Sequence, residues 1–378
     1  MRTPAFKTCF FSAILTVGLF VSSASADMVN PLFGIAATYN DVFFGDYFGR
    51  NGDIEGHAAI KGNVDVSAYA FGSGEQNLHP NSQSPTLVVG GNVTSSSSSV
   101  YDGDAYIAGA LIPQPGQNKW NTLSTAGTGP YNTVDPGYNG TPGTVYVAGT
   151  PDADLDYQYQ KNTTASIPFD FDAAEAQLRK VSTDLFGLQD TVHAGFVGAN
   201  YTVDLTGLSG LQVVTIDTSV FDALGRTNNI YITAGADTTL IINITDNGNL
   251  GVLNLQKEFI INGSELPGYG DFDGSNILIN TDLALVDIRQ AAINASLLAL
   301  DAHIMVEHGN IDGQAFGASA WTMNGGEFHA YYTFDDKHFS GGGTATVPEP
   351  ATCVIIACGL IGLGYTQRRR LFTSQDGA

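Results

Sequence analysis

Short apolar runs that end at glycine or asparagine form the dominant pattern of this chain. Residues 58–61 precede Gly62-Asn63, and residues 86–89 precede Gly90-Gly91-Asn92. The same unit recurs at 105–109, 144–149, 276–280 and 303–306, the last followed by the turn-rich 309–313. β-Branched residues bounded by residues that adopt positive φ at little cost indicate strands rather than helices.

This pattern predicts an all-β fold, a right-handed parallel β-helix-like solenoid with one flanking amphipathic α-helix. The spacing between these units is irregular, roughly twenty residues where it is clearest, which suits solenoid coils with insertions better than the strict period of a propeller. A β-sandwich is the alternative architecture. The region from Asp27 to Thr346 is long for one compact core but normal for a single elongated all-β domain.

One segment has helical periodicity. Its apolar residues recur at helical spacing until Gly187, and they are Phe171, Ala174, Leu178, Val181 and Leu185. Asp172 and Glu175 form a capping-box signature at the start. The stripe predicts a helix of about four turns over 170–186, buried against the flank of the solenoid.

Three stretches lack either period. Residues Leu111 to Gly143, rich in proline, glycine, asparagine and threonine, predict a long surface loop. The five serines Ser95 to Ser99 predict a solvated turn. Residues 340–346 predict a flexible linker.

Both ends have the character of processing signals. At the start, Arg2 and Lys7 precede the apolar stretch 9–21 and a small-residue site that ends at Ala26. This order predicts a secretory signal peptide over 1–26, cut between Ala26 and Asp27 after export by the Sec machinery. A buried N-terminal helix is the alternative.

The C-terminal end combines a proline motif, an apolar run and a basic stop. In order, these are Val347, Pro348, Glu349 and Pro350, then residues 351–365, then Arg368, Arg369 and Arg370. The run is shorter than the ~20 residues of a comfortable transmembrane helix, and the arginines favour a cytoplasmic tail at 371–378. The block 347–370 therefore predicts a sorting signal with a short transmembrane segment, and an ordinary membrane anchor is the alternative.

The composition of the exported part restricts its function. Residues 27–346 contain no cysteine, which excludes disulfides and thiolate metal or redox sites. The same residues contain 10 basic and 35 acidic side chains, a net charge near −25. This charge keeps the chain soluble, attracts divalent cations, and repels nucleic acid and anionic membrane surfaces, so nucleic-acid binding is excluded.

Few residues point to chemistry. The chain has no Gly-x-Ser-x-Gly, His-Glu-x-x-His, Cys-x-x-Cys or Gly-x-x-x-x-Gly-Lys pattern. Glu55 with His57, and Glu327 with His329, share a strand face by their spacing and could form acid–base or metal pairs, with a structural turn contact as the favoured alternative. Asp53 and Glu55 also share one face of the strand and are candidate cation ligands, with a hydrogen-bonded turn as the favoured alternative.

Hard oxygen ligands lie close together in two loops. One contains Asp271 and Asp273 and the other Asp102 and Asp104, and neither completes the twelve-residue calcium pattern that ends in glutamate. No cofactor is expected, and Asp271 and Asp273 are the candidate calcium site, with a solvated turn as the alternative. No catalytic residue is identified, and the protein is not expected to be an enzyme.

Several blocks resemble the bacterial choice-of-anchor A family. They are residues 41–47 and 52–64 at the start, 166–171 in the middle, and 293–299, 309–315 and 325–329 at the end. The resemblance covers nearly all of 27–334 and implies an adhesive β-helical domain over 27–339, related in shape to bacterial ice-binding adhesins, with no known ligand. Departures at 299–302 and 68–71 concern details of single coils.

The C-terminal block with Pro-Glu-Pro at 348–350 resembles the PEP-CTERM sorting signal of Gram-negative bacteria. The resemblance implies that an exosortase cuts the tail near this motif. The protein is then expected to pass through a form tethered to the inner membrane and to reach the cell surface or extracellular matrix. Its contact with the membrane would be through the C-terminal segment alone.

Three functional classes follow, of which surface or matrix adhesion is favoured, with matrix polysaccharide or another cell-surface component as partner. The second is ice binding, which needs threonines in register on a flat face. Eight threonines of the second half do not recur at one solenoid period, and they stand at 202, 206, 215, 218, 227, 233, 238 and 239. The third is a calcium-dependent polysaccharide-acting enzyme, which needs a cleft lined by several carboxylates and a base.

Overall fold

The structure, a computed structural model, describes residues 32–338 apart from 75–84, 102, 115–122, 126–141, 150–158, 161–166, 225–227, 236, 247, 249–250, 257 and 264–273. Its first strands are β1 Asp41–Phe43, β2 Tyr47–Ile54, β3 Ala58–Ile60, β4 Val64–Phe71, β5 Leu87–Val89, β6 Val93–Ser96, β7 Ser98–Val100, β8 Gly103–Ile107, β9 Leu111–Pro113, β10 Leu123–Thr125, β11 Pro142–Val147 and β12 Tyr159–Gln160. Helix α1, Phe171–Phe186, follows.

The second half contains helix α2, Thr218–Leu224, and further strands. These are β13 Ala194–Val197, β14 Asn200–Leu205, β15 Gly210–Asp217, β16 Ile230–Ala234, β17 Thr238–Thr245, β18 Val252–Leu255, β19 Phe259–Ile261, β20 Ile277–Thr281, β21 Leu285–Arg289, β22 Ala292–Ile293, β23 Ser296–Glu307, β24 Asn310–Ile311, β25 Ala315–Met323 and β26 Glu327–Phe328.

The strands wind around a continuous apolar interior. One sheet contains 22 strands, and β13, β14, β16 and β19 form a second sheet. In the part of the chain described, β13 with β14 is the one antiparallel pair and all other pairs are parallel. The predicted all-β parallel solenoid is therefore confirmed, and the β-sandwich alternative, which needs antiparallel sheets, is wrong.

Each complete coil has three sides. In the first coil these are β1, then residues 47–50 of β2, then residues 52–54 of β2, and the strand bends at Asn51, which has φ 52°. The equivalent corner of other coils also has non-glycine residues with φ between 48° and 55°, namely Ala68, Ser97, Gln290, His308 and Asn324. Turn residues with positive φ were expected to be glycine or asparagine. Four of these six corner residues are of other types.

Glycine serves a different corner, between the first and second sides. The N–H of Gly62 bonds to the carbonyl of Gly45 at 3.0 Å, and Gly91 bonds in the same way to Gly62 at 2.9 Å. A Cβ at Gly91 would lie 2.5 Å from the Gly62 carbonyl oxygen. The next residue in two of these coils, Asn63 or Asn92, accepts a backbone N–H from the coil above through its side chain. The Gly-Asn repeat thus permits close stacking of the coils.

The first coil lies in the middle of the stack. Strand β1 pairs with β3 on one side and with β25 on the other, so Asp41 faces Ala315 across 274 residues of sequence. From this junction, here called the seam, one stack runs through β3, β5, β8 and β11. The other stack runs through β25, β23, β20, β17 and β15.

The register explains the irregular repeat. Leu87 pairs with Ala105 and Leu278 with Ser296, each 18 residues apart, which agrees with the spacing seen in the sequence. Elsewhere the offset is larger, as between Ala58 and Leu87 at 29 residues. Insertions at the coil corners therefore mask a repeat that the strands themselves keep.

Helix α1 connects the two stacks along the first side. The five predicted stripe residues are buried, which confirms the helix and its apolar face. Sixteen residues rise about 24 Å, close to five coil spacings of about 4.8 Å. At the far end Asn243 donates its side-chain N–H to the carbonyl of Leu185 at 2.8 Å, and Asn280 bonds to Asn243 at 2.9 Å. This polar ladder fixes the C-terminal turn of the helix.

The structure corrects several local predictions. The N-cap of α1 is Asp170, which accepts the N–H of Ala173 at 3.0 Å, whereas Asp172 pairs with Lys61 at 2.7 Å. The Ser95 to Ser99 segment is no solvated turn, because β6 and β7 bury Ser95, Ser96 and Ser98. Stacking against neighbouring coils overrides their polar character.

Two further predictions missed elements of secondary structure. Strands β9 and β10, and the start of β11, lie within the predicted loop 111–143. Helix α2 follows β15 where other coils have their second-side strand, and it packs its apolar residues into the end of the core. The prediction of a single helix was therefore wrong.

Candidate functional site

The third side of the coils brings acidic residues together at the seam. Phe328 pairs with Ile54 of the first coil and with Ile311 of the coil on its other side. Residues that flank these three apolar positions therefore form two outward rows across three coils. The rows contain the acid–histidine cluster, whose members are Asp53, Glu55, Asp312, Glu327 and His329.

Histidine lies at the centre of this cluster. The Nδ1 atom of His329 is 2.8 Å from an Asp312 carboxylate oxygen, and its Nε2 atom is 3.0 Å from a Glu327 oxygen. Glu55 accepts the N–H of Ala330 across the seam at 3.1 Å. Asp53 accepts the hydroxyl of Ser73 at 2.7 Å. Carboxylates from both stacks thus surround one imidazole.

The electrostatics favour an imidazolium cation. Burial opposes the charging of His329, but hydrogen bonds to Asp312 and Glu327 outweigh it and raise its pKa to about 10. Burial also raises the pKa of Asp53 to about 6, against the hydrogen bond from Ser73. Both ring nitrogens of His329 then donate protons, so neither offers a lone pair to a metal or a substrate proton. The imidazolium thus links the neighbouring coils of β24 and β26 within one stack, and the bond from Ala330 to Glu55 crosses the seam beside it.

The predicted residues reach different places. Glu327 and His329 form the predicted pair, whereas His57 is buried beside Tyr39, with ring centroids 6.1 Å apart. Asp312 was not singled out from the sequence, although it is 1% exposed and holds His329. The alternation in 309–313 places Asp312 on an outward face, but its contact with His329 follows only from the pairing of that coil with 327–329.

The second side of the coils is the candidate binding surface, here called the open face. In the described residues, helix α1 contacts the strands of the first side and leaves this sheet uncovered at its centre. One row of outward residues crosses it in register, in the order Asn254, Asp287, Met305, Trp321, Phe48, Asp65, Thr94 and Ile112.

An aromatic pair occupies the middle of the open face. The rings of Phe48 and Trp321 meet edge to face, with centroids 5.4 Å apart. The Arg50 guanidinium lies 3.9 Å from the centroid of Phe48 and pairs with Asp65 at 2.8 Å. A second ion pair lies three coils from Arg50, where Arg289 is 2.8 Å from Asp287. In each pair the two charges offset one another. Arg289 is also 3.8 Å from Glu307, so the two arginines offset most of the carboxylate charge on this face of a strongly acidic domain.

The outward threonines are not aligned. On the open face, Thr94 lies between Asp65 and Ile112. In the second sheet, Thr202 is paired with Tyr231, and Thr233 is paired with Asp204. No two outward threonines are neighbours in these registers of the described strands.

Other predicted sites lie outside the described residues. They are Ala26 and Asp27 of the signal peptide, Asp271 and Asp273 of the calcium site, and Val347, Pro348, Glu349, Pro350, Arg368, Arg369 and Arg370 of the sorting signal. Among the residues described, no helix has both the length and the apolar character needed to cross a membrane. Within that part of the chain, no three His, Cys, Asp or Glu side chains are arranged to hold a metal ion.

Comparisons with known proteins place the chain in a family. A family model described as "Putative Ice-binding-like adhesive domain" (pAdhesive_15) matches residues 32–330. A search of curated proteins found no match.

Similar solved structures include an ice-binding protein from an Antarctic Biological Consortium, at 11% identity and TM-score 0.32, covering 78% of this chain and 88% of that one. The ice-binding protein LeIBP from Arctic yeast matches at 14% identity and TM-score 0.31, over 84% and 95%. Ice-binding protein 1 of Shewanella frigidimarina, DUF3494 domain, matches at 12% and 0.31, over 80% and 96%. TM-scores this low carry no argument about function.

Proposed function

Because this chain belongs to the family of ice-binding-like adhesive domains, we propose that it is an exported adhesin that binds a polymer surface through its open face. The observation that carries the proposal is the aromatic pair Phe48 and Trp321, set between two Arg–Asp ion pairs on the parallel sheet of the open face. Such a face offers contact area and hydrogen-bonding groups without a catalytic cleft.

The chemistry of the open face suits a neutral matrix polysaccharide. Aromatic rings pack against the C–H faces of sugar rings, and paired carboxylate and guanidinium groups bond to hydroxyls. The net charge of the domain would repel an anionic polymer. The ion pairs on this face leave little local charge, so a neutral polymer can approach it.

Binding of the soluble domain to a panel of immobilised neutral polysaccharides tests the proposal. Phe48→Ala and Trp321→Ala should each weaken binding severalfold, because aromatic anchors dominate such interfaces. Tyr146→Ala is the matched control, since Tyr106 and Tyr146 stack at 4.6 Å on the first side, away from the open face. Equal loss in all three variants, or none in any, would contradict a role for the open face.

Ice is the second candidate ligand, and the family description favours it. The absence of adjacent outward threonines on the described faces argues against a regular threonine array as its basis. Partition of the domain into a growing ice front provides the test. Uptake that Trp321→Ala abolishes would assign the open face to ice, and exclusion from ice would leave the polymer.

Sorting through the C-terminal block is part of the same proposal. Resemblance to choice-of-anchor A proteins and to the PEP-CTERM signal supports Sec export, a tether through 351–365 and release by an exosortase of a Gram-negative bacterium. Glu349→Ala should trap the full-length form in the inner membrane. Surface-exposed protein that retains the intact C-terminal peptide would contradict cleavage.

The family description supports an extracellular or surface location and adhesion rather than catalysis. We retain calcium at Asp271 and Asp273 as a proposed structural ligand, supported by the spacing of the two carboxylates. Polysaccharide cleavage that is lost in Glu55→Gln or Glu327→Gln would instead favour the enzyme alternative.

A further inference from the structure

A short hairpin projects from the end of the stack that runs from β25 to β15. Strand β13 pairs with β14 through Phe196 and Tyr201, and its burial decreases toward the tip. Phe196 is 48% exposed and Val197 is 69% exposed. A Cβ built on Gly195 or Gly198 would meet nothing within 4 Å, so the hairpin stands clear of the body.

The tip differs in character from the rest of the domain. Residues 194–200 carry no charge in a chain with formal net charge −22. Strand β13 is an edge strand, since β14 is its one partner among the described strands. Edge strands are usually protected by charge, proline or a covering element, and 194–197 contain neither charge nor proline. An apolar, convex tip of this kind suits contact with a surface better than contact with water.

The C-terminal tail leaves the body at the same end. After the seam it crosses the stack, with Asp335 bonded to the carbonyl of Ser275 at 2.7 Å and His338 2.9 Å from Asp237. The carbonyl of Asp237 accepts the N–H of Gly210, the first residue of the end strand β15. His338 therefore lies beside the coil that pairs with the end strand β15.

The length of the following chain limits where the apolar run can lie. Residues 339–350 separate His338 from 351–365, and twelve extended residues reach at most about 40 Å. A membrane that receives 351–365 thus lies within about 40 Å of His338. The tether keeps the local concentration of the tip at that surface high.

We infer that Phe196 and Val197 contact the zwitterionic surface of the membrane that the C-terminal segment enters, so that the end coil faces the membrane. The inference rests on the proposed tether of residues 351–365. The solenoid axis then points away from the bilayer and the open face lies along that axis, free to bind. An acidic domain favours zwitterionic over anionic lipid for this contact.

Tryptophan fluorescence of the full chain in phosphatidylcholine vesicles tests the inference. Phe196→Trp should gain a blue-shifted component that nitroxide-labelled lipids quench, relative to the unsubstituted chain with its two native tryptophans. Ile112→Trp is the matched control, because Ile112 is 41% exposed and lies in the other stack. Its added emission should stay unquenched.

The outcomes separate the two proposals. If the chain fails to co-float with vesicles, the tether is wrong and the inference falls with it. If the chain co-floats but Phe196→Trp is no more quenched than Ile112→Trp, the tether stands and the inference is overturned. A blue shift of Phe196→Trp that depends on protein concentration without vesicles would assign the tip to a second copy, and would also overturn it.

Discussion

Replacing His329 with glutamine should destabilise the fold most near pH 6 and least near pH 10. The imidazolium bonds to Asp312 at 2.8 Å and to Glu327 at 3.0 Å, with 14% of the histidine side chain exposed. Hydrogen bonds to charged groups contribute ~1.5–3 kcal/mol each, and glutamine can keep one of them. We expect His329→Gln to lower the free energy of unfolding by about 2–3 kcal/mol near pH 6.

The pH window follows from the direction of the shift. The pKa of His329 is raised from 6.5 to about 10 in the folded chain. Its contribution to stability is therefore complete below about pH 6.5 and is lost as the pH rises through about 10. Asp53 has a pKa raised from 3.8 to about 6, so its ionisation lowers stability as the pH rises from about 3.8 to about 6, which lies below the window of His329.

Chemical unfolding of wild type and variant at several pH values between about 6 and 10 provides the measurement. The difference in unfolding free energy should shrink steadily across this range. His303→Gln is the control, because His303 bonds to Ser319 outside the acid–histidine cluster and burial lowers its pKa. Its contribution changes below about pH 6.5. A His329→Gln difference that stays constant up to pH 10 would refute a cationic His329 in the folded chain.

Three further predictions concern the helix, a corner and the proposed calcium loop. Leu178→Pro should cost ~3 kcal/mol or more in chemical unfolding, since Leu178 is fully buried in the middle of α1, and an unchanged midpoint would contradict that role. Ala68 is exposed and has φ 48°, which asparagine tolerates better than alanine, so Ala68→Asn should raise the free energy of unfolding by about 0.5–1 kcal/mol. A loss of stability would count against backbone strain at this corner. Calcium should raise the melting temperature of wild type, and a shift that survives Asp271→Ala with Asp273→Ala would exclude this loop as its site.

Local periodicity predicted helix α1 and many of the strands. The stripe from Phe171 to Leu185 predicted a buried helix because i, i+3 and i+4 positions share a face whatever the helix packs on. Runs such as 58–60 and 87–89 predicted strands, because short apolar runs bounded by turn residues are typical of buried strands. The Glu327–His329 contact was also accessible, since alternation places both residues on one side of a strand.

Only the tertiary structure decided which coils are neighbours. The pairing of Asp41 with Ala315 links residues 274 apart, and no local pattern specifies that the first coil lies in the middle of the stack. The same pairing brings Glu55 to Ala330 and completes the cluster around His329. Burial of Ser95 and the helical conformation of α2 likewise depend on neighbouring coils. Sequence therefore determined the strands and the helix stripe, while register between distant coils, which depends on packing of the whole core, determined the seam and the open face.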